Sequence, residues 1–140
     1  AGTASKVVLL DSLISNIDRT AKNTNLLNWN KELWIIDNGA SLYFHHNWPT
    51  WENHLIRTFP LIKDHVLLPK AACLSKASEE IKQVINTNVI TEIVSNIPED
   101  WLLSDGDVLR PEEIRAAYIS FLTTKISMLD VLVKEAEDAR

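Results

Sequence analysis

Three side chains near the start of the chain have the types and spacing needed to hold a divalent cation against a polyphosphate. Asp18 opens the polar run Asp18-Arg-Thr-Ala-Lys-Asn-Thr-Asn25, Asn23 lies five positions after it, and Asp37 follows in Ile36-Asp37-Asn38-Gly39. Phosphoryl transfer from Mg²⁺-ATP asks a protein mainly for positioning and charge neutralisation. It needs one carboxylate beside the attacking hydroxyl and oxygen ligands for a hard metal ion. Asp18 fits the first task, and Asn23 and Asp37 fit the second. Lys22, inside the same run, would reach a transferred phosphoryl group as a point charge. Gly39 is expected where the backbone turns sharply after the metal carboxylate. Asp and Asn are also ordinary loop formers, because their side chains satisfy nearby backbone groups, so the spacing alone carries little weight. The order of elements around it carries more.

Residues Ser5 to Asn16 read as a helix, with Val8, Leu9, Ser12, Leu13 and Ile17 at helical spacing. Asp18 to Asn25 is too polar for a core element and reads as a loop. Leu26 to Trp29 and Leu33 to Ile36, separated by Asn30-Lys31-Glu32, read as a β-hairpin whose exit is Asp37. The hairpin therefore brings the loop and the second carboxylate together. Beyond it the signal is mostly helical. Thr50 is expected to cap a helix over Trp51 to Thr58, and Ser78 one that runs to about Asn86; Asn88 to Asn96 gives another. Pro111, followed by Glu112 and Glu113, starts a last helix reaching roughly Ala136. Pro98 to Trp101 reads as a turn whose tryptophan packs back on the body, and Ser104-Asp-Gly-Asp107 as a surface loop.

Composition bounds the rest. A chain of 140 residues that is 46% hydrophobic can bury one core and is most simply one domain. A formal net charge of −5 argues against nucleic acid bound through a broad basic face. The single Cys73 excludes an internal disulfide and a cysteine zinc site, and suits a reducing, cytoplasmic compartment as a half-buried structural thiol. No apolar run has the length of a membrane span, so no membrane partner is expected. His45 and His46 adjoin, but neighbouring histidines are expected to point apart rather than share a metal. Tyr43, Phe44, Trp48 and Trp51 read as a core patch rather than a base-stacking platform.

The stretch Asn16-Ile-Asp-Arg-Thr-Ala-Lys-Asn-Thr-Asn-Leu-Leu27, with Leu33-Trp-Ile-Ile-Asp-Asn-Gly-Ala-Ser-Leu-Tyr-Phe-His-His46, resembles the HipA-like kinase family of bacterial proteins. More distantly, Asp18-Arg19 with Asn23 is similar to the Asp-Arg-His-x-x-Asn loop of phosphatidylinositol kinases, and the stretch from Tyr118 to Arg140 resembles the HipA-like tail. The resemblance implies a mainly α (α+β) fold, the helical C-terminal lobe of a protein-kinase-like domain with a small β-hairpin. It implies Asp18 as catalytic aspartate, Asn23 and Asp37 as ligands of Mg²⁺ and so of ATP, and Lys22 as a phosphate contact. Thr20 departs from the histidine usual in related loops, and Asn38 from the histidine that the family favours at its place.

No Gly-rich phosphate loop and no strand-borne lysine precede Asp18, and the chain begins Ala-Gly-Thr rather than with Met. Residues 1–140 are therefore expected to be one lobe, with the ATP-clasping N-terminal lobe supplied by further polypeptide or a partner subunit. Alone, the lobe is expected to bind ATP weakly and turn over little. A reading of a different class stays open, a non-catalytic interaction module, either a decayed kinase lobe or part of a two-component regulatory pair. The phosphate acceptor is not encoded in any motif.

Overall fold

The structure, a computed structural model, describes residues 1–103 and 109–140, so the loop expected at 104–107 lies outside the described residues. It is mainly helical with one two-stranded antiparallel sheet, as the sequence leads one to expect. Helix α1 (Gly2–Ile14) buries Val7, Val8, Leu9 and Leu13, but also Ser5, Asp11 and Ser12. It ends at Ser15, whose left-handed backbone (φ 53°) reverses the chain while Asn16 N–H donates to the Asp11 carbonyl. That reversal leads into the loop 16–25, in which Asn16, Arg19 and Asn25 stay buried.

Strands β1 (Leu26–Trp29) and β2 (Glu32–Ile35) pair Leu27 with Trp34 and Trp29 with Glu32. Only Asn30 and Lys31 form the turn, both left-handed at φ 50° and 67°, the signature of a type I′ hairpin. The twist of paired strands favours that two-residue turn over the longer one expected from Asn30-Lys31-Glu32.

From Tyr43 to Lys70 the chain folds into short 3₁₀ turns, at Tyr43–His46, Trp48–His54, Pro60–Asp64 and Leu68–Lys70. The helix expected over 51–58 is absent among the described residues. Pro49 starts a turn earlier, and Thr50 lies inside it rather than capping it. Helix α2 (Leu74–Val84) likewise begins before the expected cap: burial of Leu74 and Ala77 draws the chain into helix, and Ser78 is an interior, buried residue. Helix α3 (Thr87–Ser95) is capped by the Asn86 side chain, which accepts from Asn88 N–H and Val89 N–H.

The last expected helix is two. Helix α4 (Pro111–Ser127) and helix α5 (Leu129–Ala139) meet at a 62° bend around Met128. The bend serves two cores. Ile114, Ala117 and Phe121 of α4 pack with Phe44, Trp48 and Leu102, whereas Leu129, Leu132, Val133 and Ala136 of α5 pack against α1, α2 and the turn at Pro60–Asp64. A straight helix presents one continuous stripe and would strand one of the two sets. Phe44 meets Phe121 with ring centroids 4.6 Å apart, so Phe44 and Trp48 of the aromatic patch are core as expected and Trp51 packs against them half-buried, whereas Tyr43 is exposed. Trp101 departs from expectation: it is 79% exposed instead of packing back. No single helix among the described residues is long and apolar enough to cross a membrane.

Candidate active site

A buried ion pair lies beneath the loop and fixes it. Asp11, fully buried on α1, accepts from Arg19 Nε at 2.5 Å, from His65 Nε2 at 2.9 Å and from Asn16 Nδ2 at 3.1 Å. Burial alone would raise this carboxyl. The hydrogen bonds from His65, Arg19 and Asn16, with the Arg19 charge, outweigh it and hold Asp11 below its ordinary value. Arg19 spends its remaining donors on the hairpin base: Nη1 donates to the Asn25 and Ile36 carbonyls, and Nη2 to Asn38 Oδ1 at 2.5 Å. One guanidinium thus ties α1 to the residues where the hairpin begins and ends. Thr20 forms an antiparallel bridge with His65, and Val66 N–H donates to the Arg19 carbonyl at 3.0 Å. Position 20 lacks the histidine of related loops, yet an imidazole meets the loop from position 65.

On that platform Asp18 and Asn23 meet, and Asn25 links them to the backbone of Asp37. Asn23 Nδ2 donates to Asp18 Oδ2 at 2.6 Å, and Asn25 Nδ2 donates to the same oxygen at 3.1 Å. Asn25 Nδ2 also reaches the Asp37 carbonyl at 3.4 Å, so a single amide links the loop start to the hairpin exit. Asn25 and Asp37 are both left-handed, at φ 47° and 49°. The sharp turn expected at Gly39 is made two residues earlier, by Asp37 itself. A Cβ added at Gly39 would meet only Asp37 Oδ1, at an ordinary 3.6 Å. Asp and Asn tolerate the left-handed region better than other side chains, which is why they hold these corners without glycine. Lys22 belongs to the loop but is exposed, and has no ion-pair partner among the described residues.

The geometry adds Asp11, Arg19, Asn25, Asn38 and His65 to the residues singled out by spacing. One signal was present in the sequence: Asp11 interrupts an apolar run between Leu10 and Leu13, and a carboxylate on a buried face demands a cation. His65 gave none. The histidines at 45 and 46, expected to point apart, instead meet with their Nε2 atoms 3.1 Å apart. Burial, then the neighbouring His46 charge, pushes the His45 imidazole below its ordinary value. Among the described residues no group of three or more His, Cys, Asp or Glu is arranged to hold a metal ion.

The oxygen donors of Asp18, Asn23 and Asp37 suit a hard cation all the same. Asn23 turns its nitrogen toward Asp18, which leaves its carbonyl oxygen without a partner among the described residues, and Asp37 is exposed with its carboxylate unpaired there. The Asp37 carboxylate and the Asn23 amide oxygen, with no thiolate or imidazole, are donors of the kind that Mg²⁺ accepts.

A helical body with a polar loop and a two-stranded hairpin meeting at clustered Asp and Asn residues defines the class as a kinase-like domain. The family model described as HipA-like kinase matches residues 2–128, and the chain belongs to that family. No curated protein and no solved structure matches the chain.

Proposed function

We propose that this chain is the catalytic-loop lobe of an ATP- and Mg²⁺-dependent phosphotransferase. The observation that carries the reading is the Asn25 amide between Asp18 Oδ2 and the Asp37 carbonyl, which joins the two carboxylate-bearing segments at one place. Bound Mg²⁺-ATP supplies the transferable phosphoryl group and neutralises its charge. Asn23 and Asp37 would hold the cation through oxygen. Asp18 commits Oδ2 to two amide donors, which fixes the carboxylate and leaves Oδ1 to accept a proton from the acceptor hydroxyl. Lys22, exposed on the same loop, would approach the transferred group as a point charge.

The hairpin supports a second part of the reading, a covering lobe supplied by further polypeptide or a partner subunit. Leu27 and Trp34 pair directly, Trp29 lies on the same face by alternation, and they are 46%, 51% and 61% exposed. Adjacent large apolar side chains left in water are characteristic of a surface that another body covers. The lobe alone is then a weak nucleotide binder. Cys73, a free and half-buried thiol, accords with a cytoplasmic setting.

The test compares Asp37→Ala with Lys31→Ala, at the hairpin tip, in the protein joined to its covering lobe. Mg²⁺-dependent phosphoryl transfer to any acceptor should vanish in the first variant and persist in the second. Equal activity in the two would remove Asp37 from the site.

A further inference from the structure

A second site lies away from the carboxylates, in a cavity of about 260 Å³ between the turn at Tyr43–His46, the segment 54–61 and helix α4. Its walls are chiefly apolar, with Ile17, Phe44, Phe59, Leu61 and Phe121 among them. The charged and imidazole-bearing residues that line it are His54, Arg57 and Lys125, and no Asp or Glu lines it. In a chain of net charge −5, Arg57 and Lys125 without an acid around one cavity form a local reversal of sign.

Lys125 makes the cavity more than a gap in packing. It is 1% exposed, its ammonium lies 5.0 Å from the Phe121 ring centroid, and it donates to the Arg57 carbonyl. A lysine has three N–H donors. That carbonyl is the one acceptor that Lys125 finds among the described residues, and no carboxylate forms an ion pair with it there. Glu135 acts on the amine only at a distance, since its Oε2 accepts the Phe59 backbone N–H at 2.6 Å. A buried charge without a counter-ion is costly, and a bound anion offsets that cost. Burial pushes the Lys125 amine below its ordinary value despite the opposing Glu135 charge, and burial with the Arg57 and Lys125 charges lowers His54.

We infer that this cavity binds a small anion carried on an aromatic or aliphatic body, with the apolar group against Phe44 and Phe121 and a carboxylate or phosphate on Lys125 and Arg57. The volume suits one ring or a short chain rather than a nucleotide. The site is separate from the phosphotransfer reading and does not depend on it, although Ser15 and Ile17, which lead into the loop, form part of the wall.

The experiment titrates the full chain with benzoate, phenyl phosphate and uncharged benzamide while following NMR shifts of Phe44, Phe121 and the Lys125 side chain. Saturable shifts at these residues with at least one anion, and at least tenfold weaker binding of benzamide, are expected. A preference between benzoate and phenyl phosphate identifies the anionic group. Lys125→Met should weaken the preferred anion at least tenfold. If that variant does not fold, Leu61→Trp, which fills the cavity mouth from a half-exposed position, should abolish the same shifts. Benzamide binding as well as the anions, or no saturable shift with any probe, would overturn the inference.

Discussion

Replacing Asp11 with alanine removes the carboxylate on which the loop is built, and the structure sets the size of the loss. The Asp11 and Arg19 side chains are both fully buried, and the carboxylate also holds His65 and Asn16. Deleting one partner leaves the guanidinium charged, desolvated and uncompensated, which costs about 3–5 kcal/mol. With an unfolding entropy of about 2.1 cal/mol/K per residue, that loss lowers Tm by about 10–17 °C in a 140-residue chain. Asp130→Ala is the control. Its contact to Lys82 Nζ is 2.6 Å, nearly as short as the Asp11–Arg19 contact, but the Asp130 side chain is 79% exposed. Surface pairs of that kind contribute at most about 1 kcal/mol. Urea unfolding of both variants, followed by circular dichroism, measures the contrast. Asp11→Ala losing no more than Asp130→Ala would refute the claim that burial of this ion pair anchors the loop.

Two further outcomes follow from the structure. Because Asp11 is held below its ordinary value of 3.8, the stability it contributes is complete above that pH and is lost as pH falls through the lower folded value. Urea midpoints of the wild type should therefore drop more steeply than those of Asp11→Asn between about pH 5 and pH 2; parallel curves would contradict this. Lys31→Gly relieves a left-handed side chain at φ 67° in the type I′ turn and should stabilise the chain by up to about 1 kcal/mol in the same assay. A loss of stability there would count against that turn geometry.

The hairpin and the Asp18–Asn23 contact were legible because both are local. Two short apolar runs around a polar turn specify the pairing, and one hairpin carries the chain from the loop to Asp37. The support beneath them was hidden because it is assembled across sequence: His65 reaches Asp11 over fifty-four positions, and nothing around residue 65 announces it. The role of Arg19 was similarly obscured, since a basic residue in a polar loop ordinarily faces water. The misplaced elements share one cause. Ser78 and Thr50 have the chemistry of caps, but Leu74, Ala77 and Pro49 decide where the backbone turns. Periodicity also continued across Met128, because apolar spacing does not record that two cores lie in different directions.

The most direct test of the central claim is paramagnetic broadening by Mn²⁺ in the presence of ATP, with Mn²⁺ standing in for Mg²⁺ at an oxygen-ligated site. It reads occupancy without requiring turnover from the lobe. The account predicts that amide signals of Asn23 and Asp37 broaden first, with Asp18 close behind, and that Asp37→Ala removes the effect. Broadening that begins elsewhere, at the exposed acids Glu137 and Asp138 for example, or that is unchanged by Asp37→Ala, would contradict it.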